Sequence, residues 1–270
     1  MQYFRDLVVR IKLRKIKSIL SKSSFSSDTT HIASSQWLEP VLLGKETLKQ
    51  IILNPENIRD TLKLLEEMPK DEYLEFLIDF YKKGLSMFGD DWVYADIVTA
   101  LNAISKNIKI KNYLEIGVRK GRSMIIVSNN SPEANFYGFD LWLKDYIGIE
   151  NPGADYVESV LKNFNHRGKI KFIDGDSKKT IPLFFKKNPD LFFDLITVDG
   201  DHRINGARTD IRNVVKKLKV GGILVFDDIS SPHHPYLKKL WKKEIENNPR
   251  YLSYEYEDIG LGVGIAVKKY

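Results

Sequence analysis

The sequence predicts an α/β fold: a seven-stranded, mostly parallel sheet with helices on both faces, preceded by a helical extension. Three observations carry that prediction. After Lys111 short apolar runs alternate with segments long enough to be crossover helices. The runs end in glycine or in acid, which suits strands that stop at one common edge. The last two runs, "YLSYEYED" and "GVGIAVKK", leave no room for a long helix between them and therefore pair as a hairpin at the sheet's end.

Taken in order, residues 1–20, "MQYFRDLVVRIKLRKIKSIL", place Phe4, Leu7, Val8, Ile11, Ile16, Ile19 and Leu20 near one helical stripe, with Arg5, Arg10, Arg14, Lys15 and Lys17 largely off it. This is the pattern of a basic amphipathic helix, which packs on its own domain or a partner subunit, or meets an anionic membrane surface peripherally. It lacks the apolar centre and cleavage site of a secretory signal and faintly resembles a transit peptide. Residues 21–46 begin with the Ser/Thr-rich "SKSSFSSDTTHIASS" and read as a linker or lid. Residues 47–108 are helical, with "ENIRDTLKLLEEM" and "DEYLEFLIDFYKKGL" each opening on acids that complement a helix N-terminus.

Residues 109–270 form the α/β domain. Its parallel strands are expected at "NYLEIG", "NFYGFDLW", "KIKFIDGD", "FDLITVDGD" and "GGILVFDD", with crossover helices near 121–129, 154–164, 177–187, 205–218 and 235–247. In such sheets ligands sit outside the carboxyl ends of the strands.

The composition sets bounds. At 270 residues and 43% hydrophobic, the chain suits one large α/β domain with an extension better than two domains. Zero cysteines exclude disulfides, thiolate metal sites and cysteine nucleophiles. No apolar run reaches the roughly 18 residues of a membrane span, and a cytoplasmic location is expected. The net charge of +6 invites a nucleic-acid reading. Much of it, however, lies in the first 20 residues and in pairs such as Lys216-Lys217, Lys238-Lys239 and Lys242-Lys243, which suit solvated helix faces.

Chemistry-bearing residues collect at the strand ends. "YLEIGVRKGRS" puts Glu115 at the end of the first strand, followed by Gly117 and Gly121, with Ser123 opening the next helix. Glycines there allow a tight turn and close approach of a ligand. Glu115 would repel a diphosphate and suits a cofactor carrying an ammonium or sulfonium. Asp140 ends the second strand, 25 positions on, where an acid accepts from ribose hydroxyls. "FIDGDS" ends the third with Asp174, Asp176 and Ser177, in reach of an adenine. A lone strand-end Asp is equally at home as a helix N-cap. The ordered set resembles the S-adenosylmethionine site of class I methyltransferases, a Rossmann-like fold.

The resemblance narrows at "VDGDHRINGARTDI" and "LKVGGILVFDDI", which look like the metal-dependent O-methyltransferases of the macrocin and novobiocin type that act on sugar groups. It covers roughly residues 90–270. It implies that Asp199, Asp227 and Asp228 hold one Mg²⁺, with Asp199 also beside the cofactor, and that Asp201 takes the proton from the substrate hydroxyl. It further implies a sugar or glycosylated small molecule as acceptor. Physical reasoning runs alongside: three carboxylates crowded at one sheet edge repel unless a hard divalent cation lies among them.

His202 is expected to orient Asp201 or a substrate oxygen, or to transfer the proton itself. His233 and His234 read better as a polar loop tip than as pocket lining. Trp92, Tyr94, Trp142 and Tyr146 suit a pocket wall or the core about equally. A homo-oligomer is expected. Catechol-type O-methyltransferases are the nearest alternative, but they usually carry Asp-Asn where this chain has Asp227-Asp228. A nucleic-acid methyltransferase would show an Asn/Asp-Pro-Pro-Tyr/Phe signature where "DGDH" stands, so no nucleic-acid partner is expected.

Overall fold

The computed structural model describes residues 40–146 and 149–270. The amphipathic helix expected at 1–20, with its membrane contact, and most of the linker at 21–46 lie outside the described residues. Four helices lead in: α1 (Lys45–Ile52), α2 (Pro55–Glu67), α3 (Glu72–Phe88) and α4 (Ile97–Asn107). Their starts follow from local chemistry. Asn54 accepts from the Glu56 N–H with Pro55 in the first turn, Asp71 accepts from the Leu74 N–H, and Asp96 forms a capping box with Thr99.

The α/β part runs β1 (Asn112–Ile116), α5 (Arg122–Asn130), β2 (Asn135–Asp140), a small pair β3 (Asp145–Tyr146) and β4 (Ile149–Glu150), and α6 (Ala154–Asn163). It continues through β5 (Ile170–Asp174), α7 (Ser177–Lys187), β6 (Phe193–Val198), α8 (Ile204–Val214), β7 (Leu218–Asp227), α9 (Tyr236–Trp241), β8 (Tyr251–Tyr256) and β9 (Val263–Lys268). The order across the seven-stranded sheet is β5-β2-β1-β6-β7-β9-β8, parallel as far as β7 and antiparallel in its last two pairings. This is the seven-stranded, mostly parallel α/β sheet that the apolar runs predict.

One boundary and one added element differ from expectation. The helix expected over 205–218 stops at Val214, because Leu218 pairs with Phe193 and starts β7. The hairpin β3-β4 has no counterpart in the apolar pattern, since its two-residue strands are shorter than any periodicity signal.

The sheet divides the core in two. Tyr113, Phe136, Leu195, Ile223, Val225 and Ile265 face a layer built from α1 to α6, so the helical extension shares one continuous core with the domain. Leu114, Ile116, Phe139, Ile196, Leu224 and Phe226 face α7, α8 and α9. The alternation along β1 is the period-two pattern of a strand buried on both faces. Among the described residues, no helix is long and apolar enough to cross a membrane.

Candidate active site

β1 has β2 on one side and β6 on the other. The chain leaves β1 towards one edge and returns at β6 to build the other half, which opens a crevice at the carboxyl ends of this pair. Backbone hydrogen bonds close the crevice floor: Gly117 N–H donates to Phe139 O, and Asp199 N–H to Ile116 O, both at 2.9 Å. Gly117 has φ +88, and a side chain there would run into the Asp199 carbonyl. Gly121, at φ +75, starts α5 in the left-handed region. Between them Arg119 also has positive φ, as do Trp142 after β2 and Asp228 after β7. Three of the bends at this edge thus use a conformation that L-residues rarely adopt.

Asp140 holds two of these bends. Its Oδ2 accepts from Arg119 N–H at 2.8 Å and its Oδ1 from Trp142 N–H at 2.6 Å. A carboxylate offers about four acceptor sites, so room for ribose hydroxyls remains. The other expected cofactor residues vary. Glu115 is 1% exposed; it accepts from the Tyr113 hydroxyl at 2.8 Å, and that hydroxyl lies 2.8 Å from Thr197 Oγ1. Burial, with Asp199 and Asp140 nearby, lifts its carboxyl well above the usual range against the pull of Tyr113. Ser123 lies half-buried in the first turn of α5.

Asp174 accepts from Trp142 Nε1 at 2.7 Å, and the Trp142 ring packs edge-on against Phe172. Asp176 caps α7 by accepting from Lys178 N–H, and Ser177 donates to Asp210 Oδ1 at 2.7 Å. The last two side chains therefore serve the helix and the interior.

The acids after β6 and β7 come together around His202. Its Nε2 lies 3.4 Å from Asp199 Oδ1 and 3.4 Å from Asp228 Oδ2. These are electrostatic contacts, longer than well-formed hydrogen bonds. Burial pushes the imidazole down, but Asp199, Asp228 and Asp201 outweigh it and the net direction is up. Asp227 is raised well above its ordinary value, first by burial and then by repulsion from Asp199 and Asp228. Asp228 is raised to about 6 by burial and Asp199, against the pull of His202 and His233. Among the described residues no set of three or more acidic or imidazole side chains is placed to hold a metal ion. The donor chemistry is that of a hard cation site; the spacing is not.

Asp201 faces elsewhere. Arg203 grips it through Nε and Nη2 at 2.8 Å each, and Lys178 Nζ lies 3.3 Å away. These cations hold its carboxyl at about 2, far from the range of an effective proton acceptor. His234, expected as part of a loop tip, instead stacks on His202 with centroids 5.4 Å apart and has Nδ1 3.1 Å from the Tyr236 hydroxyl. His202 is thus fixed by acids on its edge and by a ring on its face.

Trp92 and Tyr94 belong to the core: both are buried, stacked at 5.0 Å, and Tyr94 donates to Asp96. Core packing is the better reading of that pair. Sequence reasoning missed the start of α3. Asp71 reaches Lys120 Nζ at 3.0 Å and Arg122 Nη2 at 3.3 Å in the glycine turn, while the Arg122 guanidinium lies 5.0 Å above the Tyr73 ring. Only the acid-then-aromatic opening of the helix hinted at this, and it reads as an N-cap.

Residues 114–229, from β1 to the loop after β7, match the family model described as a methyltransferase domain. Over that stretch the chain resembles a methyltransferase domain. The match contains the glycine turn, Asp140, His202 and all the clustered acids. No curated protein matches the chain. Among solved structures, the O-methyltransferase TomG from Streptomyces achromogenes, involved in tomaymycin synthesis and solved with SAM, shares 15% identity over 82% of this chain and 99% of its own, with a TM-score of 0.53. An O-methyltransferase from Bacillus cereus, solved with SAH, shares 15% over 90% and 97%, with a TM-score of 0.50. The calicheamicin methyltransferase CalS11 shares 21% over 70% and 82%, with a TM-score of 0.44. At these identities the likeness is one of fold.

Proposed function

We propose that the methyltransferase domain moves the methyl group of S-adenosylmethionine to a hydroxyl of a sugar or glycosylated small molecule. The observation that carries this reading is the gathering of Asp199, Asp228 and His202 at the carboxyl edge of β6 and β7, beside the glycine turn after β1. The turn, with no side chain at Gly117 and free lone pairs on Asp140, fits a nucleoside cofactor. TomG and the Bacillus cereus protein carry SAM and SAH on the same fold. The sugar preference rests on the D-G-D-H and G-G-x-L-x-x-D-D resemblance.

In this reading the acceptor hydroxyl oxygen attacks the sulfonium methyl. A C–O bond forms as the C–S bond breaks, the proton leaves to His202, and the products are the methyl ether and S-adenosylhomocysteine. Holding oxygen and methyl in line is a large part of the catalysis. We assign the proton to His202 because Asp201 is already committed to Arg203 and Lys178.

Mg²⁺ enters the proposal through donor chemistry alone: Asp199, Asp227 and Asp228 are the oxygen ligands that would hold it once drawn closer than their present spacing, and the transfer step is not routed through it. The mutual repulsion that lifts Asp227 and Asp228 favours a cation there. The 3.4 Å contacts of His202 favour a second reading, in which the proton that His202 takes from the acceptor is stabilised by Asp199 and Asp228 without a metal. Turnover of a panel of glycosides with methyl-labelled S-adenosylmethionine, followed by mass spectrometry with and without a chelator, separates them. Loss of transfer on chelation and recovery with Mg²⁺ support the metal; transfer indifferent to the chelator removes it. Labelled cofactor that is neither bound nor consumed sinks the whole reading.

A further inference from the structure

We propose that Asp71 is a positioning residue for the cofactor, a latch by which the helical extension holds the glycine turn of the methyltransferase domain in its binding shape. The inference rests on the reading that S-adenosylmethionine binds at that turn. Asp71 stands outside the matched domain, yet it is the counter-charge for two of the turn's cations. Its Oδ2 lies 3.0 Å from Lys120 Nζ and its Oδ1 3.3 Å from Arg122 Nη2. The three side chains are 18%, 24% and 19% exposed, so the contacts are screened far less than surface pairs. The same Oδ1 accepts from the Leu74 N–H at 2.8 Å and so fixes the carboxylate to the first turn of α3.

Two residues on, the Tyr73 ring lies under the Arg122 guanidinium at 5.0 Å, which adds a second restraint on the same arginine. Lys120 and Arg122 flank Gly121, whose φ of +75 makes the turn. Arg119, just before them, is also at positive φ and donates its N–H to Asp140. Arg119 is the non-glycine residue of this turn held at positive φ. Asp140 holds the turn from the sheet, and Asp71 holds it from the extension.

The test is cofactor affinity of the full chain, measured by calorimetry with S-adenosylhomocysteine as the probe. Asp71→Asn keeps the helix cap, since Asn caps as well as Asp, but removes the charge. It is expected to weaken binding by about tenfold, with a thermal midpoint close to that of the wild type. Lys120→Gln/Arg122→Gln removes the cations and leaves the cap untouched. In that background Asp71→Asn is expected to change affinity no further, a coupling that a merely structural residue would not show. Unchanged affinity in Asp71→Asn, or additive losses in the combined variant, overturns the latch. A wild type that does not bind S-adenosylhomocysteine instead removes the functional reading beneath it.

Discussion

A Cβ on Gly117 would stand 2.0 Å from the carbonyl oxygen of Asp199. The backbone of the residue that leads the acid cluster therefore rests directly on the residue that opens the glycine turn. The two halves of the site are in contact without any side chain between them. Gly117→Ala forces either β1 or β6 to move and also places an L-residue at φ +88. The expected outcome is a loss of at least about 2 kcal/mol in denaturant unfolding. Cofactor affinity and methyl transfer should fall together in whatever fraction still folds.

Asp210 gives a pH signature away from the chemistry. It is fully buried on α8, accepts from Ser177 at 2.7 Å, and its Oδ2 has no partner. Burial, with Asp201 and Asp176 nearby, raises it to about 7 against the pull of Ser177 and Lys178. Because the folded value is above the unfolded one, the stability it contributes is fully present below about pH 4 and is lost as pH rises through 7. Asp210→Asn has nothing to ionise. The variant should therefore gain on the wild type between about pH 4 and 7, by up to about 4 kcal/mol, and hold that gain above. Parallel unfolding curves across this range would refute the assignment.

The frame of this site was legible in the sequence because a parallel sheet sends every carboxyl end to one edge. Apolar runs ending in Asp140, Asp199 and Asp227 had to converge wherever the strand order placed them. Side-chain direction was not legible. Asp176 and Asp201 look in sequence like Asp140 and Asp199, but a helix starts at once after Asp176 and three residues on from Asp201, and they spend their oxygens on Lys178 N–H and on Arg203. His234 reached His202 only because the loop after β7 folds back over the edge. The roles of Asp71 and Tyr73 depend on α3 packing against a turn about 50 residues away in sequence. No local pattern records that contact.

His202 and Asp201 are adjacent in sequence and predicted to be separable in kinetics. His202→Gln removes the imidazole between Asp199 and Asp228, and is expected to lower kcat by about 10²- to 10⁴-fold with little change in the KM for the cofactor. Asp201→Asn leaves Arg203 and Lys178 without their carboxylate and is expected to act on the loop instead, changing kcat by less than about tenfold. The reverse ranking in steady-state kinetics would return the proton to Asp201.

The helical extension is tied to the domain by polar groups as well as by apolar packing, and one amide is central. Asn102 on α4 donates to Asn57 Oδ1 at 3.2 Å and to Thr61 Oγ1 at 2.9 Å, and accepts from Asn130 of α5 at 2.9 Å. All this happens at 2% exposure. Asn102→Leu keeps a similar volume but strands its buried partners Asn57 and Thr61 on α2, while Asn130 on α5 keeps its bond to Ser105. The expected cost is about 2–4 kcal/mol, measured by chemical denaturation, and it should exceed that of Asn102→Ala if the smaller side chain lets a water enter. A neutral or stabilising Asn102→Leu would mean that α2, α4 and α5 are joined by apolar contacts alone.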